Sequence, residues 1–381
     1  MTEMTSYRVV VIPGDGVGPE VVAAARTVLD ATGRAFDFAI DWQEIVVGGA
    51  AIDAYGTAVR DEDIETCRAV DAVLLGAVGG PRWDDPNATV RPEQALFALR
   101  GGLGLFANLR PVTIHPDLIP ASPLRPGLLE GVDLMIVREL TGGIYFGQRT
   151  EASGPPDPGG PGERRAVDTL PYSESEIRRI VNLAFALALT RRRKVTSVDK
   201  ANVLATSRLW RKVVEEERRR APELEIGHQL VDSCAMLLVK DPARFDVIVT
   251  ENLFGDILAD EASVLAGSLG MLPSASLANR LTEHGTFGLY EPIHGSAPDL
   301  AGQDRANPVG AILSGAMLLR WSLRREDAAA TIEHAVHAAI GDGYRTADLG
   351  TGPGIRTVGT REMAAAIAER LPAAPTVGVT A

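Results

Sequence analysis

The chain opens with a strand, a glycine-rich turn and a helix in direct succession, and no other segment restricts the fold as much. Residues 7–12 (YRVVVI) form an apolar, largely β-branched run of strand length. Such a run, apolar at successive positions, suits a parallel strand covered on both faces. Gly14-Asp15-Gly16-Val17-Gly18-Pro19 supplies the turn, and residues 20–32 have helical spacing. This unit begins an α/β sheet. It also occupies the place of a dinucleotide-binding fingerprint, but the fingerprint fails. A G-x-G-x-x-G motif begun at Gly14 needs glycine at position 19, where Pro19 stands. Proline there fits the first turn of a helix.

Strand and helix signals keep alternating. Further strands are expected at 40–47, 72–75, 106–110, 133–138, 194–199, 225–231 and 245–250, with helices at 61–70, 174–193 and 201–220. A length of 381 residues suits two domains. Residues 151–165 (EASGPPDPGGPGERR) are too rich in Pro and Gly to pack as a regular element, and strand-like sequence flanks them. They read as a protruding arm. Residues 371–381 are mostly small and lack a period, as a frayed terminus does.

The net charge of −12 argues against a nucleic-acid partner, which needs a basic surface. Cys67 and Cys234 make no CxxC pair and no disulfide framework, which suits a reducing compartment. No apolar stretch nears the roughly 20 residues that span a bilayer, and the first residues lack a signal-peptide core. A cytoplasmic protein without a membrane partner is expected.

Two constellations carry chemistry. In the segment NLFGDILAD, Asp256 and Asp260 are spaced i, i+4, so one helical face carries both carboxylates. Ile257, Leu258, Val264 and Leu265 make the helix otherwise apolar. With Asp232, expected to close a strand, three carboxylates would make a hard-oxygen site for Mg²⁺ or Mn²⁺. Arg100, Arg110 and Arg138 lie beside apolar segments, the last two at ends of expected strands, where α/β sheets bind ligands. Guanidinium groups match carboxylates bidentately, so three of them would gather a di-acid despite the acidic net charge.

With these residues in view, the chain resembles the 3-isopropylmalate dehydrogenases, a branch of the β-decarboxylating dehydrogenases that also include isocitrate dehydrogenases. The resemblance runs from about residue 9 to 349 and rests on PGDGVGPE, NLRP, VRELTGGIYFG, SVDKANVL, NLFGDILADEASVLAGSLGMLPSAS and EPIHGSAPDLAG, followed by ANP. It implies the family's own two-domain α/β sandwich rather than a standard Rossmann fold, in line with the failed fingerprint. The implied domains are 1–105 plus 268–381 for the cofactor and 106–267 for substrate, metal and dimerisation, with an arm at about 141–170. The resemblance assigns Arg100, Arg110 and Arg138 to the substrate carboxylates, and Tyr145 and Lys200 to catalysis. It assigns Asp232, Asp256 and Asp260 to the metal, with Asp232 also beside the substrate. His294, Gly295, Ser296, Ala297, Pro298, Asp299, Leu300 and Asn307 match the cofactor loop. Lys200 and Asp232 are implied to reach the neighbouring subunit's active site, hence a homodimer with shared sites. Asp299 would accept from ribose hydroxyls and repel a 2′-phosphate, which favours NAD over NADP. The implied reaction is oxidative decarboxylation of (2R,3S)-3-isopropylmalate to 2-oxo-4-methylpentanoate, in leucine biosynthesis.

The sequence departs from the family at residues 91–100 (RPEQALFALR). Glu93 and Leu96 are kept, but Ala95 replaces a glycine and Phe97 replaces the second of two leucines that pack on the isopropyl group. A flat, bulkier Phe97 points to a second possibility, the same chemistry on another 3-alkyl- or 3-arylmalate, or on malate or tartrate. Apolar Leu96 and Phe97 disfavour isocitrate. The presence of Tyr145, Lys200 and all three aspartates argues against a catalytically dead homologue.

Overall fold

A computed structural model describes residues 4–85, 88–151 and 165–373. The expected arm at 151–165 lies, but for its end residues, outside the described residues, as do residues 374–381 of the expected frayed terminus. The chain divides into two compact units, Met1–Asp133 with Ala262–Ala381, and Leu134–Glu261.

In the first unit six strands are ordered Phe38–Glu44, Thr5–Gly14, Ala72–Ala77, Thr286–Pro292, Pro273–Leu281 and Leu105–Thr113. The first four run parallel, with Val9 opposite Ala72 and Leu289 opposite Val73. Pro273–Leu281 runs antiparallel to both its neighbours. The opening apolar run behaves as its composition requires: Val9, Val10, Val11 and Ile12 are all fully buried. The helix Gly18–Ala35 starts one residue before Pro19, and packs with Val309–Trp321 and Thr360–Ala368. Because Leu105–Thr113 pairs with Pro273–Leu281, it belongs to the first unit. The division therefore falls at 133/134 and 261/262, whereas the sequence-based expectation set it at 105/106 and 267/268.

In the second unit four parallel strands are ordered Asp133–Glu139, Val247–Thr250, Lys194–Asp199 and Glu225–Leu230. Their register aligns the ends that matter, with Thr250 opposite Arg138 and Asp199 opposite Leu230. The helix Glu174–Leu189 begins with a capping box between Ser173 and Glu176. The next helix, Ala205–Arg218, starts four residues later than its spacing suggests. Asp199 explains the delay: its carboxylate accepts the Ala201 N–H at 2.8 Å and turns the chain there. On either side of residues 152–164, Arg149–Thr150 and Val167–Asp168 pair as a short antiparallel ladder.

Candidate active site

The second unit builds its site where two neighbouring strands end. Asp133–Glu139 delivers Arg138, 2% exposed, and Glu139, fully buried. Val247–Thr250 runs directly into Glu251 and the helix Asn252–Ser263. The first N–H groups of a helix have no intrahelical partner. Here the Glu251 carboxylate accepts from Leu253 N–H at 3.1 Å and Phe254 N–H at 2.9 Å. Burial pushes the Glu251 carboxyl above the usual range, against the pull of those two N–H groups.

Arg138 lies across this helix. Its Nε and Nη2 donate to Asn252 Oδ1 at 3.0 and 2.8 Å, and its Nη1 donates to Asp256. It can lie there because residue 255 is glycine: a Cβ would stand 2.6 Å from Arg138 Cγ. The other oxygen of Asp256 accepts from the Tyr145 hydroxyl at 2.9 Å. Burial, and next the Asp256 carboxylate, push the Tyr145 hydroxyl above its ordinary pKa and keep it protonated. Asn252 donates to Gly142 O at 3.1 Å, which joins the loop bearing Tyr145 to the helix bearing Asp256.

Glu139 anchors that loop. Its carboxylate accepts from Thr141 N–H at 3.0 Å and Gly142 N–H at 2.7 Å, and pairs with Arg179 at 3.2 Å. The Tyr172 hydroxyl accepts the Asn252 N–H at 3.0 Å and stands 3.4 Å from both Glu139 Oε2 and Glu251 Oε2. With one proton it donates to one carboxylate at a time. The sequence reading missed Glu139, Tyr172, Arg179 and Asn252, and left Glu251 without a role.

Lys200 and Asp232 form a second group, Nζ to Oδ1 at 2.5 Å. Lys200 follows the strand Lys194–Asp199. Asp232 lies in the first turn of the helix Val231–Lys240 and not at the close of a strand. The Lys200 ammonium holds the Asp232 carboxyl below its usual range.

Asp256 and Asp260 stand one turn apart on one helix and offer hard carboxylate oxygens, the donor type of Mg²⁺ or Mn²⁺. Among the described residues, no group of three or more His, Cys, Asp or Glu side chains gathers to hold an ion within one chain. The expected convergence of Asp232 with Asp256 and Asp260 is not seen there; Asp232 pairs with Lys200. The donor chemistry of Asp256 and Asp260 fits a divalent cation.

The first unit carries the remaining expected residues. On the helix Gln94–Gly102, Ala95 and Leu99 face the core, while Phe97 and Arg100, with Glu93 at the N-cap, recur at i, i+4 and i+7 on the other side. Phe97 is 46% exposed, with Leu96 half-buried beside it. Arg100 approaches Glu291 at 3.8 Å. Arg110 donates through Nε to Asn108 Oδ1 at 2.8 Å. In the loop after Thr286–Pro292, Asp299 is exposed. The His294 Nε2 atom is buried with no hydrogen-bond partner among the described residues. A buried polar atom without a partner suits a loop that takes up a polar ligand. Asn307 differs: its amide donates to Asp348 at 3.0 Å and accepts Val309 N–H at 3.1 Å, so it serves the loop internally.

The chain matches the isocitrate/isopropylmalate dehydrogenase family model over residues 8–367. It belongs to this family. A 3-isopropylmalate dehydrogenase of Anaeromyxobacter dehalogenans is 58% identical over 364 residues, covering 96% of this chain and 99% of the relative. One from Gloeobacter violaceus is 54% identical over 357 residues, covering 94% and 96%. The crystal structure of isocitrate dehydrogenase from Methylococcus capsulatus is similar with a TM-score of 0.81 at 35% identity, covering 96% of this chain and 99% of that one. The mixed α/β fold expected from sequence is thus the family's fold. The protein is an enzyme, a β-decarboxylating dehydrogenase. Membership implies a nicotinamide cofactor, a divalent metal and a malate-type substrate. Among the described residues no helix is long and apolar enough to cross a membrane.

Proposed function

We propose that the protein is an NAD-dependent 3-isopropylmalate dehydrogenase of leucine biosynthesis, working in the cytoplasm as a homodimer with shared active sites. The observation that carries this reading is the Arg138–Asp256–Tyr145 arrangement. One carboxylate orients a cation suited to a substrate carboxylate and a phenol held protonated.

In this reading Arg100, Arg110 and Arg138 bind the carboxylates of the malate core. Lys200, positioned by Asp232, would act as the neutral amine and take the proton of the C2 hydroxyl, while the hydrogen on C2 leaves as hydride for the nicotinamide. Asp256 and Asp260, with the partner subunit's Asp232, would hold a divalent ion, which when bound would supply Lewis acidity at the C2 oxygen. After CO₂ leaves, Tyr145 gives its proton to the enol carbon. Asp299 selects NAD by repelling a 2′-phosphate.

Two further observations support the dimer. Among the described residues, one chain gathers no group of three or more His, Cys, Asp or Glu side chains to hold the ion. The helices that carry Asp232 and Asp256 also expose large apolar side chains, Met236 at 69% and Ile257 at 56%, as a subunit interface does. A second substrate reading rests on Phe97, exposed on the same side as Glu93 and Arg100, where it favours a C3 substituent other than isopropyl. The test of the reaction is stoichiometry. With 3-isopropylmalate, NAD and Mg²⁺, NADH and CO₂ should form in equal amounts with 2-oxo-4-methylpentanoate. NADH without CO₂ would contradict the reading.

A further inference from the structure

The glycine turn that fails as a dinucleotide fingerprint is used in the structure as one half of a clamp. Gly16 has φ of +59° and lies so close to Ser296 that a Cβ would stand 1.9 Å from the Ser296 carbonyl oxygen. The next residue, Val17, donates its N–H to that oxygen at 2.8 Å. One turn along the helix Gly18–Ala35, the Glu20 carboxylate reaches the far end of the same segment. Its Oε1 accepts the Gly302 N–H, and its Oε2 accepts the Asp304 N–H at 3.1 Å. A single helical turn therefore grips residues 296–304 at both ends.

The gripped segment has backbone that needs holding. Ala297 (φ +35°) and Asp304 (φ +54°) occupy the left-handed region, which non-glycine residues keep only where the surroundings impose it. Asp304 is also fixed from behind: Thr360 N–H donates to its carbonyl at 3.2 Å and Arg361 N–H to its Oδ1 at 2.9 Å. Exposed Asp299 lies between the two grips, so their spacing sets where its carboxylate stands.

We propose that Glu20 is a positioning residue for the cofactor, which holds residues 296–304 in the shape that receives the adenosine end of the dinucleotide. The proposal rests on the assignment of His294–Asp299 to the cofactor. A carboxylate suits the task because each of its two oxygens takes one loop N–H in a charge-assisted bond. Glutamine in its place has one acceptor oxygen, and its NH₂ group faces the other N–H. Aspartate keeps the negative charge that favours the helix start, but its shorter arm does not reach both donors.

The test compares wild type with Glu20→Gln and Glu20→Asp. In nucleotide-free protein, hydrogen exchange should quicken at the Gly302 and Asp304 amides. Kd for NADH, read by fluorescence, and KM for NAD should both rise about tenfold, as loss of one charge-assisted bond predicts. The kcat at saturating NAD, KM for the acid substrate and Tm of Glu20→Asp should stay at wild-type values. An unchanged Kd for NADH in both variants overturns the proposal. So does a joint loss of kcat, both KM values and Tm, which marks a merely structural residue. Asp299→Lys is measured in parallel. If it weakens NADH binding while the Glu20 variants do not, the clamp alone fails. If neither set weakens binding, the cofactor assignment fails and the clamp with it.

Discussion

Asn252 joins Arg138 to the loop that carries Tyr145, accepting two guanidinium N–H groups at 3.0 and 2.8 Å and donating to Gly142 O at 3.1 Å. It touches no substrate in the proposed reading, yet three elements take their mutual geometry from its one amide. Asn252→Ala removes an acceptor from a buried cation and a donor from a buried carbonyl. The expected cost is about 2–4 kcal/mol of stability, measured by urea unfolding, together with a fall in kcat/KM. Stability within error of wild type would refute the junction role.

Gly255→Ala sets two effects against each other. Helix propensity favours alanine by about 1 kcal/mol. The added methyl would stand 2.6 Å from Arg138 Cγ, and overpacking of this kind costs about 1–3 kcal/mol. Arg138 is nearly fully buried and has no free side to move into, so the clash should win. Thermal unfolding should show a lower Tm, with kcat/KM reduced as Arg138 shifts.

Glu251 predicts a pH dependence. Burial raises its pKa above the unfolded value. Its stabilising contribution is therefore complete below the unfolded pKa and is lost as pH rises through the folded one. Glu251→Gln removes this titration. The stability of the variant relative to wild type should therefore increase as pH rises above the ordinary carboxylate range, as read by urea unfolding at a series of pH values. A flat or falling difference would show that the carboxyl is not strained by burial.

The shared site is tested with two crippled variants. Lys200→Ala and Tyr145→Phe should each lose activity by roughly a hundredfold or more. If Lys200 serves the partner's site, a mixed dimer of the two contains one site with both residues intact. Denaturing and refolding them together should then restore activity. If both residues serve their own chain, every site lacks one group and mixing restores nothing.

The sequence disclosed elements whose packing leaves a one-dimensional trace. The strand segment at residues 9–12 is buried on both faces and reads as a continuous apolar run. Helix Glu174–Leu189 carries an apolar stripe and a capping box. Helix Val309–Trp321 escaped because ten of its thirteen residues are buried, so no stripe distinguishes its faces. Within the site, Arg138 stood out at the end of an apolar strand and Asp256 in an i, i+4 pair, Tyr145 only through motif resemblance, and the structure brings the three into contact. Glu139 and Tyr172 were not found, since a carboxylate that caps a loop from 2.7 Å and a phenol that bridges two chain segments have meaning only after folding. Asp232 shows the reverse limit: its residue type fits a metal, while its partner within the chain is Lys200.

The central claim is a dehydrogenase for a 3-substituted malate whose substituent is isopropyl. Its most direct test is kcat/KM for NADH formation by wild type and Phe97→Leu, with Mg²⁺ and NAD, on a panel of 3-alkyl- and 3-arylmalates, malate and tartrate. The account predicts the highest value for 3-isopropylmalate in both proteins. It also predicts selectivity shifts between them of the size that one methylene in a pocket produces, about 1–3 kcal/mol. A strong wild-type preference for another substituent would contradict the isopropyl assignment. No turnover of any member would contradict the proposed activity altogether.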